Sequence, residues 1–241
     1  MIHITILIIS LFAMTKASKL KPMAHFYKPG TLNQQLYVDS LNNNKIKLLF
    51  GIGPAGTGKT MFACNHAILE LKSEKIKKII ITRPVIPTEK DEDIGFLPGD
   101  MNKKMNPWLR PILDVFEDFY TKKDINLMIY DGVIEISPLA FMRGRTFKNA
   151  FVIADEMQNS SPNQMKMLTT RLGHDSRMVV TGDLQQSDKY INNGLLDFYK
   201  RYNMINEIKE IEEIKMIEFN NHDIKRSPVV SIILDIYNES E

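Results

Sequence analysis

The sequence predicts a single α/β domain in which a mostly parallel sheet carries helices on both faces. Short apolar segments alternate with helix-like segments along most of the 241 residues. A glycine-rich loop stands between one such strand and the helix after it, and acidic residues follow two further apolar segments. Alternation of this kind is typical of parallel sheets covered on both sides, which place ligands at the carboxyl ends of their strands.

The first half of the chain predicts three helices and two strands. A helix is expected over about Asn33–Leu41, where asparagines end it. IKLLFGI (46–52) and KKIIIT (77–82) are continuous apolar runs, as in buried parallel strands. MFACNHAILELK (61–72) has the apolar spacing of a helix, and NPWLRPILDVFEDFY (106–120) favours a helix after its prolines.

The second half continues the same alternation. Three apolar segments are predicted strands: GVIEIS (132–137), AFVIAD (150–155) and RMVVTGD (177–183). SPNQMKMLTTRL (161–172) predicts a helix with Ser161 as its cap and Pro162 in its first position. EEIKMIEF (212–219) is ambiguous between strand and helix, with a strand favoured over its last half. SPVVSIILDIYN (227–238) predicts an amphipathic helix.

Composition limits the class of protein. A net charge of +2 is too small to indicate nucleic-acid binding from bulk charge, so any such surface must be local. The single cysteine, Cys64, excludes an intrachain disulfide and is expected to be a small buried core residue. The five histidines lack metal-ligand spacing, so no zinc is expected.

The first fourteen residues form an apolar run that is short for a bilayer span and has no basic residue before it. A dispensable extension is therefore favoured over an anchor or a signal, and a cytoplasmic location without a stable membrane partner is expected. These observations predict a flexible lead-in over residues 1–30, a domain over residues 31–237 and a tail over residues 238–241.

A complete phosphate-loop pattern, G-x-x-x-x-G-K-[ST], follows the first strand. Its glycines allow backbone N–H groups to close around phosphate oxygens, and the helix after it directs its positive dipole end at them. Lys59 is expected to reach the β- and γ-phosphates, and the Thr60 hydroxyl to help hold Mg²⁺. The predicted nucleotide-binding residues are Gly53, Pro54, Ala55, Gly56, Thr57, Gly58, Lys59 and Thr60.

Acidic residues at two strand ends complete the predicted site. Asp155 is the expected metal-side acid and Glu156 the expected general base, although such a pair alone is usually a solvated loop. Asp183, after the next strand, is placed to sense the γ-phosphate rather than to lie in a polar turn. Arg226, before the last helix, is either a surface residue or the cation that meets the developing transition-state charge. Together these residues predict hydrolysis.

The motifs NQQLY, GPAGTGKT, TRPV, GFLPGD, FMRGRT, ADEMQN, TGDLQQ and DIKRSPVV, in this order, resemble the PhoH-like family over residues 31–237. This family comprises phosphate-starvation-inducible ATPases related to the superfamily 1 helicase core. The resemblance implies one RecA-like P-loop domain that uses ATP and Mg²⁺ and acts on RNA. It implies that Gln34 contacts adenine, that Gln186 joins Asp183 at the γ-phosphate, and that Arg226 is the arginine finger. KRS departs from the family's usual basic-then-apolar run at the finger. No nuclease module is expected.

One RecA-like half cannot readily clamp a nucleotide at an interface by itself. A homo-oligomer is therefore expected, with the family similarity pointing to a hexameric ring in which Arg226 faces the ATP of a neighbour. A local groove for RNA or single-stranded nucleic acid is a second expectation. Its candidate cations are Arg83, Lys103, Lys104, Arg143, Arg145 and Lys148, and its candidate stacking aromatics, each more typical of a core or interface, are Phe96, Trp108 and Phe141.

Within that set the FMRGRT segment is favoured, because a glycine between two arginines suits close approach of a ligand. Three other functions could use a phosphate loop. A GTPase is disfavoured because no guanine-reading motif is present, and a small-molecule kinase does not need the Asp155–Glu156 pair. An ATP-dependent conformational switch for a protein partner stays open, although Glu156 argues against it.

Overall fold

A six-stranded sheet in which every pair of neighbours is parallel forms the centre of the molecule, in the order β3-β2-β4-β5-β1-β6. The computed structural model describes residues 26–84, 110–185, 193–209 and 211–225. The strands are β1 (Leu48–Ile52), β2 (Lys78–Thr82), β3 (Ile134–Ile136), β4 (Ala150–Ala154), β5 (Arg177–Gly182) and β6 (Ile214–Glu218). The predicted parallel sheet is confirmed, and the ambiguous last segment forms a strand.

Helices cover both faces of this sheet. They are α1 (Leu32–Asn42), α2 (Lys59–Lys72), α3 (described over 110–117), α4 (Lys122–Tyr130), α5 (Pro162–Thr169) and α6 (Gly194–Asn206). Ser161 caps α5 and forms a capping box with Gln164, as the sequence predicts for the cap. The first residues of the predicted helix 106–120, and the whole of the predicted helix 227–238, lie outside the described residues.

Alternate residues of each central strand enter two separate cores. On one face, Leu49 and Val179 pack with residues of α1, α2, α3 and α4. On the other, Phe50 and Val180 pack with residues of α5 and α6 and with the Leu139–Met142 turn. Because successive side chains of a strand point to opposite faces, near-continuous apolar strands serve both cores. With both faces covered, the carboxyl edge of the sheet remains as the place for a site.

The helices α4 and α6 were not predicted from the sequence. Each buries only two residues, Ile125 and Met128 in α4 and Gly194 and Leu195 in α6, so little of either helix belongs to a core. Their first turns nevertheless carry a readable signal, because Thr121 caps α4 in a capping box and Asn193 caps α6. Capping residues together with amphipathic spacing therefore mark both helices in the sequence.

The amino-terminal edge of the sheet is held by a buried arginine. Arg177 donates to Leu41 O at 2.7 Å and to Ile46 O at 3.0 Å, and its Nη1 lies 3.0 Å from Glu70 Oε1. Burial acts to raise the pKa of Glu70, but hydrogen bonds and charge from His66 and Arg177 outweigh it, and the pKa is lowered. The Arg177 guanidinium, at the start of β5, thus joins the end of α1 and the segment before β1 to Glu70 of α2, on the edge opposite the predicted site.

Within the described residues, no helix is long and apolar enough to cross a membrane. Cys64 is fully buried in the core of the α2 face, which confirms its predicted place. Burial raises the pKa of the Cys64 thiol, so the side chain behaves as a small apolar residue.

Candidate nucleotide site

A cavity of about 340 Å³ opens at the carboxyl edge of the sheet, where β1, β4 and β5 end. It brings together residues that are far apart in the sequence. The predicted site residues among its lining are Ala55, Gly56, Gly58, Lys59, Thr60, Asp155, Glu156 and Asp183. The phosphate loop and both acidic strand ends therefore meet in one place, as the parallel topology requires.

Two glycines shape the phosphate loop. Gly53 has φ 141°, and a Cβ built on it would lie 2.4 Å from the backbone oxygen of Phe219, just after β6. Gly58 has φ 88° and stands immediately before α2. Since side chains are strained at both conformations, only glycine lets the loop turn here and lets α2 begin beneath it.

Lys59 is held inside the loop. Its Nζ donates to Gly53 O at 2.6 Å and to Pro54 O at 2.7 Å, and the residue is only 8% exposed. Burial lowers the pKa of Lys59, while the negative charges of Asp183 and Glu156 oppose that shift. The cation is therefore fixed beside the loop and faces a cluster of carboxylates across the cavity.

Asp155 joins the phosphate loop to the sheet. The Thr60 hydroxyl donates to Asp155 Oδ1 at 2.7 Å, and the Thr181 hydroxyl, from β5, donates to the same oxygen at 2.6 Å. These hard oxygen donors fit Mg²⁺, which is held in proteins by one or two carboxylates together with phosphate and water oxygens. Thr181 was not predicted, although its place in TGD, one strand from Asp155, is a usable signal.

Glu156 is held on both carboxylate oxygens. Arg83 Nη2 lies 3.1 Å from Oε1, and Gln158 Nε2 donates to Oε2 at 2.5 Å. Gln158 Oε1 accepts the backbone N–H of Asp183 at 3.2 Å, so this buried amide bridges the two acidic strand ends. Glu156 also has φ 55°, a left-handed conformation that costs a non-glycine residue free energy and tends to occur at functional sites. Sequence reasoning missed Gln158, which lies two residues after Glu156.

Arg83, predicted as a nucleic-acid contact, lines the nucleotide cavity. Its Nε lies 3.6 Å from Asp155 Oδ2, in addition to the contact with Glu156. One guanidinium therefore faces both carboxylates. Arg83 directly follows β2, so its side chain lies at the carboxyl edge of the sheet and not on an exposed face.

Replacing Arg83 by glutamine is expected to lower kcat for ATP hydrolysis by about 10- to 100-fold, since misplacement of a catalytic group has effects of this size. The change also removes a cation beside two carboxylates, so the Mg²⁺ concentration for half-maximal activity is expected to fall. Arg83→Lys keeps the charge and should restore the Mg²⁺ dependence more than it restores kcat. Normal hydrolysis with weakened RNA binding in Arg83→Gln would instead support the original nucleic-acid prediction.

Gln34 lies under the phosphate loop and is 3% exposed. Its amide nitrogen donates to Thr57 O at 3.1 Å and to Asp223 O at 3.2 Å, while its oxygen accepts Gly30 N–H at 2.8 Å. The side chain thereby joins the loop to segments before α1 and after β6. Its predicted contact with adenine stays a prediction.

Several predicted residues lie outside the described part of the chain. They are Gln186, Arg226, Lys103, Lys104, Phe96 and Trp108.

Asp183 is described, is 6% exposed and accepts the Gln185 N–H at 2.9 Å. Lys225, which precedes Arg226, donates its backbone N–H to Gly56 O at 3.3 Å. The segment after β6 therefore reaches the phosphate loop of the same chain.

The two arginines of the FMRGRT segment lie in different surroundings. Arg145 forms a two-fold ion pair with Glu135, in which Nη2 lies 2.9 Å from Oε2, and it stands over the Phe147 ring. The hydrogen bond with Glu135 raises the pKa of Arg145. Arg143, by contrast, is exposed. Phe141 is 57% exposed and is therefore not a core residue.

A phosphate loop between the first strand and its helix, with acids at the ends of the neighbouring parallel strands, defines the class of RecA-like P-loop proteins. The fold agrees with the Sulfolobus solfataricus SWI2/SNF2 ATPase core solved in complex with dsDNA, with a TM-score of 0.50 and 12% identity, over 86% of this chain and 48% of that chain. The family described as PhoH-like protein matches residues 27–238. The chain belongs to the PhoH-like family.

Curated relatives agree with this assignment. The Bacillus subtilis (strain 168) PhoH-like protein is 44% identical over 211 residues, which cover 87% of this chain and 63% of the relative. Protein PhoH of Escherichia coli (strain K12) is 38% identical over 202 residues, which cover 80% of this chain and 53% of the relative. The chain thus matches between about half and two thirds of the length of these two relatives.

Proposed function

We propose that this protein binds ATP with Mg²⁺, hydrolyses it, and acts on RNA or single-stranded nucleic acid as a helicase-like motor. One observation carries the hydrolytic part: Lys59, the Thr60–Asp155 pair and Glu156 line the same cavity at the carboxyl edge of the sheet. A phosphate cation, a metal-side acid and a general base are the parts that phosphoryl transfer to water requires. The proposal includes no ribonuclease activity.

The residues divide the chemistry between them. The loop N–H groups and Lys59 bind the phosphates, and Thr60 with Asp155 would hold Mg²⁺, which neutralises charge on the β- and γ-phosphates when bound. Glu156 orients the attacking water and accepts its proton. Asp183 lies in the same cavity, where with Gln186 it senses the γ-phosphate. The Gln158 bridge would transmit that signal to Glu156.

Nucleic acid as the partner has three supports. The chain belongs to the PhoH-like family, and its resemblance to that family implies action on RNA. A fold neighbour was solved in complex with dsDNA. The exposed Arg143 lies in the segment that connects β3 to β4, outside the nucleotide cavity. A homo-oligomer, in ring form, with Arg226 completing a neighbour's site belongs to the same proposal, as does a cytoplasmic location.

A second candidate is an ATP-dependent switch for a protein partner. The contacts of Glu156 favour it, because Arg83 and Gln158 engage both oxygens that a general base would offer to water. If those contacts persist when ATP is bound, hydrolysis would be slow and the bound nucleotide would act mainly through conformation. Turnover rate separates this candidate from the motor.

Steady-state ATP hydrolysis with and without single-stranded RNA, and with single-stranded DNA in parallel, tests the proposal. We expect activity that disappears on Mg²⁺ chelation and rises several-fold with RNA. Activity indifferent to both polynucleotides would keep the ATPase and overturn the motor. Tight ATP binding without turnover would favour the switch, and a strict monomer in light scattering at saturating ATP would count against the ring.

A further inference from the structure

We propose that a groove beside α5 binds the phosphate backbone of a single-stranded polynucleotide; the inference rests on the proposed function and locates its nucleic-acid site. The groove, of about 750 Å³, lies between the loop that follows the Leu139–Met142 turn and α5. Residues from both walls line it, among them Arg143, Gly144, Lys166 and Arg171. We call it the α5 groove.

The α5 groove concentrates positive charge. Its lining includes three cations, Arg143, Lys166 and Arg171, and no acidic residue from the described part of the chain. Arg143 and Lys166 are exposed and form no ion pair with a described residue. In a chain whose net charge is only +2, such a local cluster is the kind of surface that a polyanion requires.

Arg171 is oriented without a carboxylate. Its Nε donates to Met167 O at 3.1 Å, its Nη1 to Arg145 O at 3.4 Å and its Nη2 to Thr170 Oγ1 at 3.2 Å. Neutral oxygens thus hold the guanidinium in place while its charge stays uncompensated by the described residues. The remaining N–H groups suit a phosphate, which arginine recognises in a planar, bidentate fashion.

A polynucleotide fits this surface better than an acidic protein segment. Gly144 has φ 76°, and a Cβ built there would have nothing within 4 Å, so a ligand backbone has room to approach. Phe141, on the turn two residues before Arg143, is 57% exposed. Cations that follow a backbone, combined with an exposed aromatic on which a base can stack, characterise single-strand binding sites.

Both walls of the α5 groove connect to the nucleotide cavity. The Leu139 N–H donates to Arg83 O at 3.2 Å, and Arg83 contacts Glu156. The Met157–Asn159 turn, which contains Gln158, leads directly into α5. Each wall therefore joins one of the two partners that hold Glu156, so an occupant of the groove is expected to change ATP hydrolysis.

The test uses the double variant Arg143→Gln with Lys166→Gln, whose side chains are exposed and make no ion pair with described residues. Binding of labelled poly(U) RNA is measured over a salt series, together with ATP hydrolysis with and without RNA. Because each phosphate contact to a single strand contributes about 0.7 to the salt slope, the slope is expected to fall by about 1.4 in magnitude. Hydrolysis without RNA should be unchanged, and RNA stimulation should be lost.

A variant with the same charge change on the opposite face, Lys72→Gln with Lys123→Gln in α2 and α4, is the matched control and should keep the wild-type slope. If the groove variant binds RNA like wild type, the assignment of the α5 groove as the RNA site is wrong and the proposed function stands. If wild type hydrolyses ATP but binds neither RNA nor single-stranded DNA, the groove and the motor both fail. Polyglutamate serves as a second probe, for an acidic protein segment. If the groove variant loses polyglutamate binding but keeps RNA binding, the groove binds an acidic protein and the inference is overturned.

Discussion

Replacing Glu156 by glutamine is expected to lower kcat for ATP hydrolysis by about 10²- to 10⁴-fold, the range that a positioned general base contributes. The amide keeps the shape of the carboxylate but cannot take a proton from water. ATP affinity should change little, because the phosphates are bound by the loop and Lys59 rather than by Glu156. Single-turnover hydrolysis and equilibrium binding of a fluorescent ATP analogue measure the two effects separately.

Glu74→Gln provides a matched control for this change. Glu74 is also a glutamate with a left-handed backbone, at φ 57° against 55° for Glu156, but it is exposed beyond the end of α2. Its replacement should leave both hydrolysis and ATP binding at the wild-type level. Near-normal turnover in Glu156→Gln would show that another group activates water and would remove Glu156 from the mechanism.

Replacing Lys59 by alanine is expected to weaken ATP binding by about 10- to 100-fold, since hydrogen bonds to charged groups contribute about 1.5–3 kcal/mol. A further loss of about 10²- to 10³-fold in kcat is expected, as for removal of one donor that stabilises transition-state charge. Lys59 thus differs from Glu156, whose loss should affect turnover alone. Nucleotide titration and hydrolysis on the same preparation measure both quantities.

Lys72→Ala, at the exposed last turn of α2, is the control for Lys59→Ala because it changes the same residue type in the same helix. It should preserve both activities. Far-UV circular dichroism of Lys59→Ala should match wild type, since the sheet and the two cores do not depend on this side chain. If ATP binds normally to a folded Lys59→Ala protein, the cavity is not the nucleotide site and the assignment of the loop is wrong.

Much of the fold could be predicted from the sequence. Strands β1, β2, β4 and β5 are buried on both faces, so their continuous apolar runs are visible in one dimension. α5 was equally visible because Ser161 and Pro162 mark its start. α4 and α6 were missed although both are amphipathic and capping residues mark their first turns.

The candidate site was predicted unevenly. The phosphate loop, Asp155 and Glu156 are recognisable because each pattern consists of particular residue types next to one another along the chain. Thr181 and Gln158 were missed because each acts through a contact across strands, with Asp155 and with Asp183 respectively. Hydrogen bonds of that kind depend on strand order, which no local pattern states.

By itself the sequence determined the parallel α/β architecture, the phosphate loop and its acidic partners, since each rests on local periodicity or on a contiguous motif. Only the tertiary structure decided the surroundings of individual arginines. Arg83 lines the nucleotide cavity, Arg145 is paired with Glu135, and Arg143 lines the α5 groove. An arginine has the same charge in every context, so its role depends on which acids the folded chain brings within reach.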